Sequence, residues 1–141
     1  MKELKTTTRF TVRFSEVDSM NITWHGSYVS FFEDAREAFG KEYGIDYLTI
    51  FGNGYYAPLV DIHIEYKSPL IYGDEGIIKI TYKDCEAAKL QFEYEIFNAR
   101  NDKLVAKGST TQVFLDKEYN LVLYPPKFFM EWKIKNKLIE Q

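Results

Sequence analysis

Cysteine and histidine are scarce in this chain of 141 residues, which has one cysteine and two histidines. The lone Cys85 has no partner for a disulfide within the chain, which favours a reducing compartment. His25 and His63 lie far from each other and from Cys85 in the sequence, so these side chains do not predict a metal site. We therefore expect no disulfide, no bound metal and no cofactor.

Long apolar runs and an excess of positive charge are also missing. No stretch has the length of a membrane span, and residues 1–10 lack the apolar run of a signal peptide. The net charge is −3, and lysines are dense only near the C-terminus, which argues against nucleic acid as a partner. These features predict a cytoplasmic protein with a single domain over residues 1–141.

Alternation of apolar and polar residues predicts most of the secondary structure. It predicts a strand over residues 8–14, with Phe10, Val12 and Phe14 on one face, and four more over residues 60–66, 77–82, 90–96 and 104–115. The last four are joined by short connections, which implies an antiparallel meander. We further predict a short helical turn near residues 47–51, a short strand at 121–123 and a peripheral helix within 125–141.

One strongly amphipathic helix is predicted over residues 24–43, with Gly44 as its stop signal. Only this helix is long enough to cover one face of the sheet, so the sequence predicts an α+β fold: a curved antiparallel sheet wrapped around one long central helix. The apolar residues at helical spacing are Tyr28, Phe31, Phe32, Ala35, Ala38, Phe39 and Tyr43.

Asp18 lies in the polar turn before this helix, with Glu16 close by and His25 seven residues on. A carboxylate near a helix N-terminus can act on water while unbonded backbone N–H groups polarise a carbonyl. The alternative is structural, because an aspartate before a helix commonly hydrogen-bonds its own turn or caps the helix. No G-x-S-x-G elbow is present, and Ser27 is expected to form hydrogen bonds at the helix start rather than act as a nucleophile.

Residues 14–36, FSEVDSMNITWHGSYVSFFEDAR, resemble the signature of the 4-hydroxybenzoyl-CoA thioesterase group of the hotdog fold. The sequence departs from that signature at Asn21, where glycine is common, and at Ser27, where asparagine is common. Segments 64–66 before Pro69, 73–75 and 105–108 are similar to the group as well. The residues that match the signature are Asp18, Trp24-His25, Tyr28 and Phe31-Phe32-Glu33 with Arg36.

The resemblance implies a hotdog fold and an acyl-CoA thioesterase. It makes Asp18 either a general base on water or a nucleophile that forms a mixed anhydride, two roles that a carboxylate can fill. It places the backbone N–H of His25 on the thioester carbonyl. Tyr28 and Glu33 are expected to bind substrate, although Glu33 is equally suited to an ion pair with a neighbour on its helix. Lys89 is the candidate for the CoA phosphates, with a solvated lysine as the alternative.

The resemblance also implies a homodimer or homotetramer, because hotdog proteins pair the exposed edges of their sheets. We expect the strand at 60–66 to form that edge, and Lys89 to serve the site of a partner subunit. Two alternatives to an acyl-CoA thioesterase stay open: a thioesterase for acyl-carrier protein, which the lysine-rich tail favours, and a non-catalytic acyl-thioester binding module. Hydrolysis needs Asp18 whereas binding does not, so Asp18 favours an enzyme.

Overall fold

The structure, a computed structural model, describes residues 3–140. None of the helices in this range is long and apolar enough to cross a membrane. A 3-10 turn occupies Phe14–Glu16. In chain order, the helices and strands are β1 (Leu4–Thr11), α1 (Ser27–Tyr43), α2 (Tyr47–Gly52), β2 (Tyr55–Tyr56), β3 (Leu59–Tyr66), β4 (Glu75–Lys83), β5 (Lys89–Asn98), β6 (Leu104–Val113), β7 (Leu115–Asp116) and α3 (Lys127–Lys135).

The main sheet has five antiparallel strands in the order β1-β4-β5-β6-β3. Strands β4, β5 and β6 follow one another through short connections, which confirms the predicted meander for these three strands. The prediction is wrong for the strand at 60–66, because β3 pairs with β6 and β1 takes the place beside β4. Strands β1 and β3 are the outer strands of this sheet, so the predicted edge at 60–66 coincides with β3. The small strands β2 and β7 form a separate pair.

Helix α1 packs its apolar side into the core against the sheet, as the helical spacing predicted. Its rings are buried at Tyr28, Phe31, Phe32 and Phe39, and Phe32 stacks on Tyr94 of β5 with ring centroids 4.0 Å apart. Full burial of a side chain of this size contributes about 1.5–3 kcal/mol. The helix ends at the predicted glycine, which adopts a left-handed φ of 73°. Packing on this scale holds the N-terminal end of α1 in a defined place.

Strand β1 ends earlier than the alternation predicted. The ladder with β4 runs from Leu4 to Thr11, and Phe14 is 78% exposed instead of sharing a buried face with Val12. The cause is the 3-10 turn, in which the side chain of Glu16 accepts a hydrogen bond from the Arg13 N–H at 2.7 Å. The turn directs the chain off the sheet and into the loop that contains Asp18.

Helix α1 begins at Ser27, three residues later than predicted. The N–H and hydroxyl of Thr23 both donate to the Leu70 carbonyl, at 2.8 and 2.9 Å, and the Trp24 N–H donates to the Glu16 carbonyl at 2.8 Å. These bonds and the bridge between Val17 and Thr23 hold residues 23 and 24 against other segments in a non-helical conformation, so the helix begins after them. The prediction that the helix begins at residue 24, with His25 in its first turn, is therefore wrong: His25 lies in the turn before α1.

The C-terminal helix is confirmed as α3, but it is more deeply packed than a peripheral helix. The indole Nε1 of Trp132 donates to the Tyr43 carbonyl at the end of α1, at 2.8 Å. Lys133 is 2% exposed; its Nζ donates to the Cys85 carbonyl at 2.6 Å and pairs with Asp84 at 3.0 Å. Residue 141, the last of the predicted segment, lies outside the described residues.

Of two predicted short elements, one is confirmed and the other is wrong. The helical turn near residues 47–51 is present as α2, capped by Asp46, whose carboxylate accepts from the Thr49 N–H. The strand predicted at 121–123 is not formed, because only Leu121 makes a bridge, to Leu115. The Pro125-Pro126 pair lies shortly after this bridge and removes two donors that a longer ladder would need.

Candidate functional site

A pocket of about 360 Å³ lies at the N-terminal end of α1. Three segments form it: the loop after the 3-10 turn, the turn before α1, and the end of β3 with the residues that follow. The predicted site residues Asp18, His25 and Tyr28 all line this pocket, together with Tyr66 and Lys67. The fold thus brings together residues that lie almost fifty positions apart in the chain.

Asp18 begins a tight loop that its own side chain helps to hold. Its N–H donates to the Ile22 carbonyl at 2.8 Å, and its Oδ1 accepts from the N–H groups of Met20 and Ile22, at 2.8 and 3.3 Å. Asn21 adopts a left-handed φ of 60° in this loop. Glycine and asparagine tolerate that conformation best, which explains why asparagine can stand where relatives of the resembled group often have glycine.

The turn-holding role that the sequence left open for Asp18 is therefore present, but it uses one carboxylate oxygen. Among residues 3–140, no group donates a hydrogen bond to Oδ2 of Asp18. The loop fixes the carboxylate through Oδ1 and leaves Oδ2 without a protein partner beside the pocket.

Asp116 shows the same loop away from the pocket at the end of α1. Its N–H donates to the Asn120 carbonyl at 2.9 Å, and its Oδ1 accepts from the N–H groups of Glu118 and Asn120, at 2.9 and 3.0 Å. Tyr119 has a left-handed φ of 67° at the position that corresponds to Asn21. Hydrogen bonds from the loop backbone hold the pKa of Asp116 below its usual value. The loop is thus a structural device, and its surroundings distinguish Asp18.

The turn before α1 presents two backbone donors. Ser27 donates its N–H to the Trp24 carbonyl at 2.9 Å and its hydroxyl to the Glu16 carbonyl at 3.2 Å, which confirms hydrogen bonding of Ser27 at the helix start. Within the described part of the chain, the N–H groups of His25 and Gly26 have no acceptor. They precede a helix of 17 residues, whose N-terminal end favours negative charge.

Tyr28 and Tyr66 form an aromatic wall of the pocket. Their rings meet edge to face with centroids 5.1 Å apart, and burial raises the pKa of Tyr28 to about 12. The hydroxyl of Tyr66 donates to the His25 carbonyl at 2.8 Å, so β3 is tied to the turn before α1. Tyr66 was not predicted as a site residue, although it lies in the 64–66 segment that supported the resemblance.

Glu33 and Lys89 lie outside this pocket. Glu33 lines a second pocket, of about 350 Å³, whose other residues include Arg36 and Phe92. The Arg36 guanidinium donates to the Tyr94 hydroxyl at 3.3 Å, an alternative to the ion pair considered for Glu33. Lys89 is exposed at the first residue of β5. In one chain, therefore, the structure separates these two residues from Asp18, His25 and Tyr28.

Lys67 is a cation beside the pocket that the sequence analysis missed. Its Nζ lies 3.2 Å from the Glu65 carboxylate, and this hydrogen bond lowers the pKa of Glu65. The only signal in the sequence was its position directly after the 64–66 segment. Within residues 3–140 no group of three or more His, Cys, Asp or Glu side chains is arranged to hold a metal ion.

Comparison with known proteins agrees with this architecture. Residues 12–133 match the family model described as the thioesterase-like superfamily. The chain is 32% identical over 121 residues to "Putative acyl-CoA thioesterase YneP" of Bacillus subtilis (strain 168), which covers 86% of this chain and 87% of that protein.

Two solved structures share the fold. A DHNA-CoA thioesterase from Staphylococcus aureus superposes with a TM-score of 0.82 over 97% of both chains, at 23% identity. A hypothetical protein of Staphylococcus aureus in complex with CoA has a TM-score of 0.81 over 96% of this chain and 85% of its own, at 17% identity. With its antiparallel sheet packed on one long helix, this chain belongs to the thioesterase-like superfamily and has the hotdog fold.

Proposed function

We propose that the protein is an acyl-CoA thioesterase of the 4-hydroxybenzoyl-CoA thioesterase type, which hydrolyses a thioester to a free acid and CoA. One observation carries the proposal: the Asp18 carboxylate and His25 line the same pocket at the end of α1, and the N–H groups of His25 and of Gly26 next to it find no acceptor in residues 3–140. The names of the Bacillus subtilis and Staphylococcus aureus relatives support a CoA thioester as substrate.

In the proposed reaction, Asp18 works through Oδ2 while Oδ1 remains bound to its loop. As a general base, Asp18 takes a proton from water, the water oxygen bonds to the thioester carbon, and the carbon–sulfur bond then breaks. The proton passes to the departing thiolate of CoA. As a nucleophile, Oδ2 itself bonds to that carbon, the carbon–sulfur bond breaks, and the CoA thiolate leaves. Water then hydrolyses the mixed anhydride to the free acid, which restores the Asp18 carboxylate and releases the proton that the thiolate takes up.

Negative charge develops on the thioester oxygen in either route, and the His25 N–H is the proposed donor to it. A backbone donor aimed at such an oxyanion is typically worth about 2.7–4 kcal/mol of transition-state stabilisation. The positive end of the α1 dipole adds to this effect. Tyr28 is proposed to contact the substrate through the aromatic wall, and Lys67 to attract the CoA phosphates.

We further propose that the working protein is a cytoplasmic homodimer or homotetramer. The outer strand β3 presents exposed apolar side chains, with Val60 at 58% and Ile62 at 37% exposure, and an outer strand of this kind is a template for pairing with a second copy. In such an assembly, Glu33 and Lys89 of one subunit would contact substrate bound in the pocket of the partner subunit.

Thiol release from a panel of short, long and aromatic acyl-CoA esters tests the proposal, with wild type compared with Asp18→Asn. We expect kcat/KM to fall at least about 100-fold in the variant, because proton transfer by a positioned group contributes about 10²- to 10⁴-fold. Asp116→Asn is the matched control, since it makes the same change in the same kind of loop, and it should keep wild-type activity.

Equal activity of wild type and Asp18→Asn would contradict the role of Asp18. Turnover of acyl-carrier-protein thioesters alone would favour that substrate over CoA. Binding of acyl-CoA without turnover of any ester would instead favour a non-catalytic binding module.

A further inference from the structure

The hydrogen bond between Tyr66 and His25 links the sheet to the turn before α1. Tyr66 is the last residue of β3 and is 51% exposed. Its hydroxyl donates to the His25 carbonyl at 2.8 Å, across 41 residues of sequence. A bond of this kind fixes the carbonyl it reaches, and with it the peptide group to which the carbonyl belongs.

That peptide group carries the N–H of Gly26. A peptide bond is planar and trans, so the carbonyl of one residue and the N–H of the next point in opposite directions within one rigid plane. When Tyr66 fixes the direction of the His25 carbonyl, it also fixes the direction of the Gly26 N–H. This N–H has no acceptor within residues 3–140.

A second contact restricts the same peptide from its other side. The Trp24 ring packs so closely on Gly26 that a Cβ there would lie 2.2 Å from a ring carbon. The Trp24 carbonyl also accepts the Ser27 N–H at 2.9 Å, which closes the turn around this peptide. Gly26 itself has a helical backbone, with φ −70° and ψ −20°. Gly26 is the N-cap residue of α1, so its N–H and that of His25 directly precede the free N–H groups of the helix N-terminus, where negative charge is favoured.

We propose that Tyr66 is a positioning residue for thioester hydrolysis, and that its hydroxyl aligns the His25–Gly26 peptide so that the Gly26 N–H donates to the oxyanion beside the His25 N–H. The inference rests on the proposed function. Two donors fixed in advance stabilise developing charge without reorganisation during the reaction, which is the main source of their effect.

The surroundings of Tyr66 suit this role. A tyrosine hydroxyl, with an ordinary pKa of about 10, is protonated and can donate at neutral pH, and burial raises the pKa of Tyr66 further. The ring of Tyr28 packs edge-on against the ring of Tyr66. Removal of the hydroxyl alone, in Tyr66→Phe, therefore leaves the ring packing and isolates the hydrogen bond.

The kinetic test compares Tyr66→Phe with Tyr43→Phe. Tyr43 is a matched control, because its hydroxyl also donates to a backbone carbonyl, that of Lys5, at 2.8 Å, but at the opposite end of α1. In Tyr66→Phe we expect kcat to fall about 10- to 100-fold, with KM within twofold and the same factor for every ester that wild type hydrolyses. Tyr43→Phe should match wild type.

A second test measures the His25–Gly26 peptide group directly, by NMR. His25-Gly26 is the only His-Gly pair in the sequence, since the other histidine, His63, precedes Ile64. Labelling histidine carbonyls with ¹³C and glycine amides with ¹⁵N therefore gives a single correlated NMR signal, from the peptide in question. We expect both nuclei of this signal to shift in Tyr66→Phe and to stay in place in Tyr43→Phe.

Three results would overturn the inference. An unchanged NMR signal in Tyr66→Phe would show that the hydroxyl does not hold the peptide. Wild-type kcat in Tyr66→Phe, or a loss that varies with the acyl group, would show no positioning of the oxyanion donors, while the hydrolytic function stands. Absence of thioester hydrolysis by wild type would remove the proposed function and this role together.

Discussion

At the scale of single residues, Asp18 and Asp116 show that a local motif and a reactive site are different things. Both aspartates hold a loop through Oδ1, with the same pattern of backbone bonds. Only Asp18 lies in the pocket with the turn before α1. From the residues alone, the turn-holding role and the catalytic role could not be separated, because each depends on which groups the fold brings near.

A substitution at Gly26 tests whether its close contact with Trp24 restricts the turn before α1. In Gly26→Ala, the new Cβ would overlap the outer edge of the Trp24 ring, so this half-exposed ring must swing away or the turn before α1 must move. We expect a loss of stability of about 1 kcal/mol, the low end for an overpacked site, and a fall in kcat. Denaturant unfolding and thiol release measure the two effects.

Gly52→Ala is the control for this change. Gly52 ends α2, and a Cβ there would meet nothing within 4 Å. The alanine should leave activity unchanged and keep or slightly raise stability, by at most about 1 kcal/mol. If Gly26→Ala behaved in the same way, the close contact with Trp24 would not restrict the turn.

At the scale of elements, α3 depends on one buried charge. The Lys133 ammonium pairs with Asp84 and donates to the Cys85 carbonyl, next to β4. Lys133→Ala leaves the Asp84 carboxylate with the Tyr82 hydroxyl, at 3.1 Å, but without its cation, and it removes the donor to this carbonyl. Loss of one partner of a buried pair commonly costs about 3–5 kcal/mol. We expect the lower end, about 3 kcal/mol, because the Asp84 side chain remains 16% exposed. Chemical denaturation measures the change.

Lys135→Ala is the matched substitution on the same helix, at an exposed position. It should change the free energy of unfolding by less than about 0.5 kcal/mol. Equal effects of the two substitutions would show that the Lys133 pair does not hold α3 in place.

The connection before β4 predicts a dependence of stability on pH. Burial by itself raises the pKa of Asp74, but hydrogen bonds from the Ile71 N–H, Arg100 and Asn98 outweigh it and hold that pKa below its usual value. The stabilisation is thus complete above about pH 4, the pKa in the unfolded chain, and is lost as the pH falls through the lower folded value. Between about pH 4 and pH 2, wild type should lose more unfolding free energy than Asp74→Asn. Parallel curves of unfolding free energy against pH for the two proteins would contradict this prediction.

The boundaries of β1 and α1 show where sequence patterns stop being informative. Phe14 continues the alternation of β1, yet a bond between Arg13 and Glu16 turns the chain before it. Trp24 continues the helical pattern of α1, yet Thr23 is tied to Leu70, 47 residues away. Periodicity reports which face of an element is apolar, whereas its first and last residues depend on such contacts. The meander and α1 were predictable because their signals are local and repeated.

At the scale of the whole molecule, the outer strand β3 determines the proposed assembly. Ile62→Lys places a charge among the exposed apolar residues of β3, where pairing with a second copy would bury it. We expect sedimentation to show a shift toward monomer. Leu48→Lys, an equally large change at an exposed position of α2, should leave the assembly unchanged. A monomeric wild type, or the same oligomer in Ile62→Lys, would contradict assembly through β3.

The site itself was only partly predictable, for reasons of distance along the chain. Asp18, His25 and Tyr28 lie within eleven residues, so one motif could identify all three. Tyr66 and Lys67 reach the same pocket only because β3 runs beside β6 and ends near the turn before α1. No periodic pattern relates them to Asp18, so the structure was needed to find them.

Together, the two proposals give the outer strand β3 a role in the chemistry, through the hydrogen bond from Tyr66, as well as in assembly. If β3 pairs with a second copy, the strand that is ordered by pairing is also the strand that holds the His25–Gly26 peptide. Specific activity should then depend on protein concentration, and dilution of the enzyme below its dissociation constant should lower the turnover per subunit before any subunit unfolds.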